Sequence, residues 1–526
     1  MSCTLQYTPI GDIPRIRNEL GAVFNSGRTR SIAYRKQQLL QLCYLIEDNQ
    51  ERIRQAISSD LGRPRNETDF LELSGTLLEV KDAYDNVEKW SAPQKSPFSL
   101  LWFSLSPVTR KEPKGVVLII SPFNYPYFLT LTPLSAAIAA GNTVMLKPSE
   151  LTPASAALLA ELIPKYLDPE LVQVVNGGVP ETTKILELRF NHSNGRVAKI
   201  ICTAAAQHLT PVTLEVSWRS VFLRFRDLNC DVDFDPGKSP CVIDPKCNAK
   251  IAAKRIMWGK LVNCGQVCLS PDYVLVPESF QDEFVEALQN AYHELHPTDP
   301  KTSGMLGRIV NERHVERLKG LLDNTNGTIV FGGEVDKEAR YVAPSLIRDV
   351  KRDDSLMSEE IFGPLLPVVP VKDVDEAIAV INSMDEALNI YVFTSEKKFK
   401  SKVMDNTRSG TVSANDTILH VMANDAPFGG FGASGYGYST GKAAFDEFTH
   451  FRCTVDNPNW YDLVEYTAMS ARYTPYNSAS LQRLVKFLHP RLPPRNGGTS
   501  AMTKLWYVLG VAVAGAACTS LAVLFL

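Results

Sequence analysis

The architecture of this chain is set by a short apolar run, Gly115-Val-Val-Leu-Ile-Ile120, which ends at Ser121-Pro122. A run of this length without polar alternation is typical of a strand that is buried on both faces of a parallel sheet. A small, apolar segment from Leu129 to Ala140 follows and predicts a tightly packed helix, and Thr143-Val-Met-Leu-Lys147 predicts a second strand. Strand, helix and strand in this order indicate a βαβ unit.

The same rhythm continues along the chain. Pro153–Tyr166 reads as a helix and Leu171–Val175 as a third strand. Further on, Tyr273–Val276 and Ala387–Val392 read as strands, with helices such as Glu278–Leu295 between them. The sequence therefore predicts an α/β protein that contains more than one domain, since domains average about 150 residues.

Composition excludes several classes of protein. The chain has 526 residues, 44% of them hydrophobic and 21% charged, with a formal net charge of -3. These values exclude wholesale disorder, collagen and coiled coil, and they offer no basic stripe for nucleic acid. The 10 cysteines include no CxxC pair, so we predict no metal site, and we expect free thiols in a reducing compartment.

The C-terminal residues 505–526 read LWYVLGVAVAGAACTSLAVLFL and contain no charged side chain. A bilayer core needs about 20 apolar residues in a helix. Lys504 precedes the run, and Trp506 and Tyr507 lie where an interfacial belt is expected. We predict a C-terminal transmembrane helix that acts as a tail anchor; the alternative is a buried core helix.

A cysteine lies in the most informative phrase of the chain, Asn263-Cys-Gly-Gln-Val-Cys268-Leu-Ser-Pro-Asp-Tyr273. A cysteine that follows a glycine-containing turn can be exposed to a ligand and can act as a thiolate nucleophile. By itself this signal is weak, because most free cysteines are small buried hydrophobes.

Polar residues follow the predicted strands. Asn124 comes after the first strand, and Lys147 and Glu150 come at the end of the second, where parallel sheets present ligands. Glu215 lies in an apolar setting that suits a general base. Each residue also has a purely structural interpretation: Asn124 as a turn residue beside Pro126, and Glu150 as a helix-start residue.

Two later segments add to this set. Ser358-Glu-Glu360-Ile-Phe362 combines an acid with an aromatic ring that can pack on a flat ligand, and Pro427–Gly435 is a glycine-rich loop that permits close backbone approach. Each segment also has a purely structural interpretation: Glu360 as a helix-start residue, and the glycine-rich loop as a plain turn.

In this order and separation the motifs resemble the aldehyde dehydrogenase superfamily, and most closely its class 3 branch, which contains the fatty aldehyde dehydrogenases. The resemblance spans roughly residues 15–455. The stretches that carry it are Ala137–Asn142, Lys147–Glu150, Glu181–Thr183, Leu209–Glu215, Gly265–Cys268 and Pro271–Tyr273.

The resemblance implies a role for each catalytic residue. Cys268 would attack the aldehyde carbon, and the amide of Asn124 with the N–H of Cys268 would hold the oxyanion. The hemithioacetal would pass a hydride to the nicotinamide, and Glu215 would then activate water to hydrolyse the thioester.

The resemblance also implies a cofactor site. Lys147 and Glu150 would lie at the adenosine ribose, and Glu360 would hold the nicotinamide ribose with Phe362 near the ring. Because Glu150 can accept a hydrogen bond from the 2′-OH, we expect NAD to be favoured, with NADP left open.

The expected fold is a Rossmann-like parallel-sheet cofactor domain, an α/β catalytic domain and a small oligomerisation arm, followed by the transmembrane helix. The boundaries are 1–94 and 112–236 for the NAD-binding domain, 237–427 for the catalytic domain, 95–111 and 428–455 for the oligomerisation segments, 456–504 for a linker and 505–526 for the anchor. The resemblance implies a homodimer.

Two departures from the family pattern stand in the NAD-binding domain. At 189–197 Ser193 alone replaces a short apolar strand, so we expect a central strand to be lost; Asn194 and Gly195 match the start of the cofactor helix. After Glu215, residues 216–236 are inserted before Gly237. We interpret both as errors at exon boundaries, an idea that a transcript encoding both would contradict.

The favoured function is NAD-dependent oxidation of long-chain aldehydes at a membrane, with the catalytic part in the cytosol and the anchor in the endoplasmic reticulum, mitochondrial outer membrane or peroxisome. Medium-chain, aromatic and apocarotenoid aldehydes stay open as substrates. A catalytically impaired scaffold is the alternative that the two departures suggest. A cysteine hydrolase needs a histidine partner, and none of the 8 histidines lies in a recognisable motif.

Overall fold

A computed structural model describes residues 5–99, 105–190, 192–194, 198–215, 237–423, 425–456, 470–475, 477–489 and 492. The inserted segment 216–236 and the apolar segment 505–526 lie outside these residues, as does Gly195. Within the described part of the chain, no helix is both long enough and apolar enough to cross a bilayer.

The helices are α1 (Ile13–Asn25), α2 (Ile32–Asp48), α3 (Gln50–Leu61), α4 (Gly75–Ser91), α5 (Phe128–Ala140), α6 (Pro153–Tyr166), α7 (Val179–Leu186), α8 (Ala198–Gln207), α9 (Ala249–Leu261), α10 (Gln281–Leu295), α11 (Glu312–Asp323), α12 (Val374–Asn382), α13 (Lys397–Asn406), α14 (Gly441–Glu447) and α15 (Ser478–Leu488). A π-helical segment, Thr68–Ser74, leads directly into α4.

The strands are β1 (Gln94–Lys95), β2 (Val108–Pro113), β3 (Val116–Ile120), β4 (Thr143–Lys147), β5 (Val172–Val174), β6 (His192–Asn194), β7 (Val212–Glu215), β8 (Pro240–Ile243), β9 (Tyr273–Pro277), β10 (Thr328–Phe331), β11 (Val335–Asp336), β12 (Tyr341–Val342), β13 (Ser345–Arg348), β14 (Leu365–Val371), β15 (Ala387–Phe393), β16 (Ser409–Ala414), β17 (Gly435–Tyr436) and β18 (Thr449–Thr454).

Two sheets dominate the compact unit formed by residues 1–93 and 110–452. The first has the strand order β17-β7-β6-β3-β4-β5 and is parallel except for β17. The second has the order β10-β13-β14-β9-β8-β15-β16 and is parallel except for β10. Two α/β regions with parallel sheets were expected, and they are confirmed.

Strand β3 is buried on both faces, as its unbroken apolar sequence predicts. Val117 and Ile119 pack in one cluster with α2, α4, α5 and α6, whereas Val116 and Leu118 pack in another with α1. Helix α5 carries apolar and small side chains all round, and 12 of its 13 residues are buried. A helix that is apolar on all sides is buried in the protein interior. Helix α5 therefore lies in the core of the βαβ unit, where it connects β3 to β4.

The expected loss of a central strand is wrong. Strand β6 occupies the position between β3 and β7, where His192, Ser193 and Asn194 pair in parallel with Val117, Leu118 and Ile119. The ladder is made by main-chain N–H and C=O groups, so three polar residues can fill a strand position that the family gives to apolar ones. One of the two reasons for suspecting an impaired scaffold is thereby removed.

The second compact unit comprises residues 94–109 and the chain from 453 onward. It contains β1 and the ends of β2 and β18, which belong to a three-stranded sheet of order β1-β2-β18. Thr454 donates from its hydroxyl to the carbonyl oxygen of Val108 at 3.0 Å. The segments that we predicted to form an oligomerisation arm, 95–111 and 428–455, thus contribute strands to one sheet.

Candidate active site

Four of the predicted site residues lie at one edge of the first sheet. Strands β3, β4, β6 and β7 run parallel, so their carboxyl ends meet at the same edge. Lys147 ends β4, Asn194 ends β6 and Glu215 ends β7, while Asn124 follows β3 by four residues. The strand order reverses between β3 and β6. Such a switch point is where open α/β sheets bind their ligands.

The loop that carries the thiol has an unusual backbone. After α9, Asn263, Cys264 and Gly265 have φ values of 50°, 56° and 73°, in the left-handed region. A Cβ at position 265 would lie 2.2 Å from the carbonyl oxygen of Gly363, so only glycine fits there. Left-handed non-glycine residues cost free energy and cluster at functional sites. The loop, called here the nucleophile loop (residues 263–268), is therefore held in place by its surroundings.

Asn124 and the nucleophile loop are joined directly. Asn124 is fully buried, and its side-chain nitrogen Nδ2 donates to the main-chain oxygen of Gln266 at 3.1 Å. In return, Nδ2 of Asn263 donates to the main-chain oxygen of Asn124 at 2.9 Å. An amide NH2 group carries two donors, so this contact orients the Asn124 amide towards the loop that ends at Cys268.

The two cysteines of the loop have different surroundings. Cys264 is fully buried, and burial raises the pKa of its thiol to about 12, which keeps it protonated. Cys268 is 8% exposed and lies in an apolar cluster with Tyr125, Phe128 and Phe428. The side chains that complete this cluster are aliphatic: Leu71, Val262, Val267, Leu269, Leu388 and Ile418. Cys268 is thus the less buried of the two thiols, and the side chains packed with it are apolar.

Lys147 and Glu150 form an ion pair at the end of β4. The ammonium of Lys147 lies 2.9 Å from Oε2 of Glu150; the lysine side chain is 4% exposed and the glutamate side chain 21%. Partial burial raises the pKa of the nearby Tyr7, and the charges of Glu150 and Glu181 add to this. The pair presents an accessible carboxylate beside a buried cation, which suits the hydroxyls of a ribose.

Glu360 and Phe362 lie in a loop that three buried charged side chains hold by its main chain. Lys238 donates to the oxygens of Leu356 and Glu359, at 2.9 and 2.6 Å. Asp272 accepts from the N–H of Ile361 at 3.2 Å. Arg317 donates to the oxygen of Ile361 and to the carboxylate of Glu359. The loop that would face the nicotinamide ribose is therefore fixed from three directions.

Behind this loop, one buried carboxylate is shared by two buried lysines. Asp272 pairs with Lys238 at 2.5 Å and with Lys260 at 3.4 Å, and all three side chains are almost fully buried. Burial acts to raise the pKa of Asp272, but the two lysines hold it below its usual range. Burial lowers the pKa of Lys260 to about 8. Phe362, from the same loop, packs edge-on against Phe123 with ring centroids 6.0 Å apart.

The glycine-rich loop leaves no room for side chains at two of its glycines, because its own backbone packs against them. A Cβ at Gly429 would lie 1.9 Å from the carbonyl oxygen of Gly437, and one at Gly430 would lie 2.2 Å from that of Ser434. What approaches these glycines closely is the loop's own backbone. The loop leads into β17, in which Gly435 pairs with Glu215 at the end of β7. It thereby supports the main chain of the predicted general base.

Several residues of the site carried no recognisable sequence signal. Gln266 donates to the main-chain oxygens of Asn263 and Arg308 and accepts from the N–H of Val310. Glu67 accepts from the N–H of Asn263 at 2.9 Å, and burial raises its pKa to about 7. Arg63 and Glu72 form a buried ion pair nearby. Gln266 alone had an indirect sequence signal, because it lies within the family-like stretch Gly265–Cys268.

The polar groups present fit a nicotinamide dinucleotide. One ribose needs hydrogen-bonding partners at the end of β4, which Lys147 and Glu150 supply. The second needs an acceptor near the thiol, and Glu360 lies in the loop whose Phe362 packs against Phe123, the residue before Asn124. Together, the sheet edge, the thiol and the amide are the features expected of a dinucleotide-dependent oxidoreductase.

Comparison with known proteins agrees with this class. A model of the aldehyde dehydrogenase family matches residues 11–454. Aldehyde dehydrogenase family 3 member A2 of Mus musculus is 42% identical over 437 residues, which are 82% of this chain and 86% of the mouse protein. The chain belongs to the aldehyde dehydrogenase family, within its class 3 branch.

Two further proteins extend the comparison. The Rattus norvegicus protein called aldehyde dehydrogenase, dimeric NADP-preferring, is 41% identical over 457 residues, 86% of this chain and 95% of the rat protein. The solved substrate-bound state of Staphylococcus aureus AldH superposes with a TM-score of 0.79 at 35% identity, covering 95% of this chain and 99% of that one. Most of this chain thus shares its fold with a solved structure.

Proposed function

We propose that this chain oxidises hydrophobic aldehydes to carboxylic acids with NAD, using Cys268 as the nucleophile. The observation that carries the proposal is the hydrogen bond of 3.1 Å from the Asn124 side chain to the carbonyl of Gln266, two residues before Cys268. It puts an amide donor and a thiol on two loops that hold one another. Both loops adjoin the sheet edge that carries Lys147 and Glu150.

The first step forms a carbon–sulfur bond. The Cys268 thiol gives its proton to a water molecule, and the sulfur electron pair attacks the aldehyde carbon while the carbonyl π electrons move to oxygen. The oxyanion accepts hydrogen bonds from the Asn124 amide and the N–H of Cys268. Removing one such donor typically costs about 3–4 kcal/mol of transition-state stabilisation.

The second half of the reaction releases the acid. NAD, when bound, would supply the hydride acceptor that oxidises the former aldehyde carbon, so that the acyl group on Cys268 would be a thioester. Glu215 takes a proton from water as the water oxygen attacks that carbon. The carbon–sulfur bond breaks, the thiolate is restored and the carboxylic acid leaves. Lys147 and Glu150 would hold one ribose of the cofactor, and Glu360 would hold the other.

Long-chain aldehydes are the favoured substrates. The side chains that share a cluster with Cys268 are almost all aliphatic or aromatic, and burying each methylene of a substrate chain against such a surface contributes about 0.8 kcal/mol. Medium-chain, aromatic and apocarotenoid aldehydes would use the same chemistry. Measured kcat/KM values along a series of alkanals distinguish them: a rise with chain length up to hexadecanal supports the proposal, and a flat series opposes it.

NAD is proposed as the preferred cofactor. The partly exposed carboxylate of Glu150 can accept from a ribose 2′-OH, and it would repel a 2′-phosphate. The rat relative named NADP-preferring makes NADP the alternative. Initial rates with each cofactor decide between them, and Glu150→Gln should narrow the difference if the carboxylate is the cause.

Membrane attachment and a homodimer complete the proposal. The 22 residues from 505 to 526 carry no charge and are enough for a helix to cross a bilayer core. We propose that they attach a catalytic part in the cytosol to the endoplasmic reticulum, the mitochondrial outer membrane or the peroxisome. Deleting residues 501–526 should release the protein to the soluble fraction; continued pelleting with membranes would oppose an anchor.

The proposed homodimer would form through the sheet of β1, β2 and β18, whose edge strands can pair with a second copy of the chain. Analytical sedimentation of the truncated chain measures its mass in solution, and a monomer mass would oppose the dimer.

The activity itself is tested by NADH formation from hexadecanal. Cys268→Ala should abolish it, whereas the matched control Cys453→Ala, at an exposed position, should leave it unchanged. Equal rates in the wild type and Cys268→Ala would refute the role of the thiol.

A further inference from the structure

A buried ion pair lies behind both loops of the site. Arg63 and Glu72 are 2% and 0% exposed, and the guanidinium of Arg63 contacts the carboxylate of Glu72. Arg63 follows α3, and Glu72 lies in the π-helical segment Thr68–Ser74. The mechanism above uses neither residue. Burying two charges costs desolvation free energy, so such a pair is weakly explained by stability alone.

Arg63 contacts both loops of the site. Its Nε donates to Oδ1 of Asn263 at 3.0 Å, and another nitrogen of the guanidinium donates to the main-chain oxygen of Asn124. The guanidinium also lies over the ring of Tyr125, 4.4 Å from the ring centroid. A planar guanidinium with three acceptors has one orientation. Arg63 thus fixes the nucleophile loop relative to the carbonyl of Asn124.

Glu72 holds the other end of the same segment. Its Oε1 accepts from the N–H groups of Tyr127 and Phe128, at 2.6 and 3.0 Å. These groups begin α5, where N–H groups lack helical partners and favour a negative charge. The ion pair is therefore hydrogen-bonded to the main chain at two places: Arg63 bonds to Asn124, and Glu72 bonds to residues 127 and 128.

We propose that Arg63 and Glu72 are positioning residues for the Asn124 amide, and that the ion pair sets its distance from the oxyanion formed at Cys268. This inference rests on the proposed function and deepens it. Oxyanion donors act when they lie 2.7–3.1 Å from the developing charge. A misplacement of about 1 Å can cost about 100-fold in rate. The geometry of this ion pair therefore affects the rate of the chemical step, although neither residue contacts the substrate.

The test uses Arg63→Lys, which keeps the charge beside Glu72 but loses the planar fork. The first-turnover rate of NADH formation should fall about 10-fold to 100-fold, while the dissociation constant for NAD and the circular dichroism spectrum stay unchanged. Arg65→Lys is the matched control, because Arg65 is two residues away, 61% exposed and paired with Glu51; its rate should equal that of the wild type.

A double-mutant cycle separates positioning from general damage. In an Asn124→Ala background, Arg63→Lys should slow the first turnover less than 2-fold, because the amide that it positions is gone. Equal slowing in both backgrounds, or a parallel loss of NAD affinity, would overturn the inference. If Arg63→Lys does not fold, Glu72→Gln takes its place in the same double-mutant cycle. This variant keeps a side-chain oxygen that can accept from the N–H groups of Tyr127 and Phe128. Activity retained by Cys268→Ala would instead overturn the proposed function, whatever Arg63→Lys does.

Discussion

The side-chain nitrogen of Asn124 lies 3.1 Å from the main-chain oxygen of Gln266, two residues before Cys268. Asn124 follows β3 in the first sheet, and Gln266 follows α9, which leads towards the second. This hydrogen bond therefore joins a loop of the first α/β region to the loop of the second region that ends at the thiol of Cys268. The arrangement means that the amide cannot shift without moving the nucleophile loop as well.

Asn124→Ala removes this amide. We expect kcat for aldehyde oxidation to fall by about 100-fold to 1,000-fold, the usual effect of losing one oxyanion donor. Affinity for the cofactor should be unchanged, because the residues proposed to hold its riboses do not include Asn124. Steady-state kinetics together with a NAD titration measures both. Asn324→Ala, at an exposed helix end, is the control; a kcat that Asn124→Ala leaves intact would contradict the assignment.

Asp272→Asn removes the acid that both Lys238 and Lys260 contact. Two buried ammonium groups then lack their counter-charge, and breaking such a pair typically costs about 3–5 kcal/mol of folding free energy. The N–H of Ile361, in the loop that carries Glu360, is then left with one acceptor oxygen instead of two. We expect a lower melting temperature and a higher dissociation constant for the cofactor.

The control for that variant is Asp85→Asn, which breaks an exposed ion pair with Lys81. Exposed pairs contribute about 0–1 kcal/mol, so its melting temperature should move little. A normal cofactor affinity in folded Asp272→Asn would show that the buried charges do not hold the loop.

Gly429→Ala places a methyl group 1.9 Å from the carbonyl oxygen of Gly437. The glycine-rich loop must then shift, at a cost of about 1–3 kcal/mol, and β17 moves with its partner Glu215. Gly320→Ala, in the interior of α11 with open space around it, should instead stabilise the protein by about 0.4–1 kcal/mol. Equal melting temperatures for the two variants would contradict this account of the loop.

His314 predicts a specific sensitivity to acid. Burial, assisted by Arg317 and Arg313, lowers its pKa to about 3 in the folded protein, against about 6.5 in an unfolded chain. Between these values the unfolded chain binds the proton and the folded one does not. The stability that neutral His314 contributes is therefore present above about pH 6.5 and is lost as the pH falls towards 3.

His314→Gln should flatten the dependence of the free energy of unfolding on pH in that window. Urea titrations at several pH values measure it. His450→Gln, at an exposed position, should leave the slope unchanged. A wild-type slope in His314→Gln would mean that other groups carry the acid sensitivity.

Apolar runs predicted the main elements well, because burial on both faces of a sheet leaves an unmistakable pattern. The prediction for 143–147 matches β4, and the one for 153–166 matches α6. Strand β6 escaped prediction because its residues, His192 to Asn194, are polar, and its pairing with β3 is a matter of main-chain register.

The site was predicted only where motifs mark it. Cys268, Asn124 and Lys147 stand beside recognisable turns or strand ends. Arg63 carries no such mark, since its partners lie 61 and 200 residues further along the chain. The reason for the glycines at 429 and 437 was equally hidden, because only the folded loop shows that its own backbone fills the space.

The most direct measurement of the central claim is the mass of the acylated protein. Glu215→Gln, mixed with NAD and dodecanal, should form NADH once and then accumulate the thioester, because the base that activates water is lost. Intact-protein mass spectrometry and peptide mapping should find the dodecanoyl group on the peptide that contains Cys268. NADH formation without any acyl adduct, or an adduct on Cys264 instead, would contradict the account.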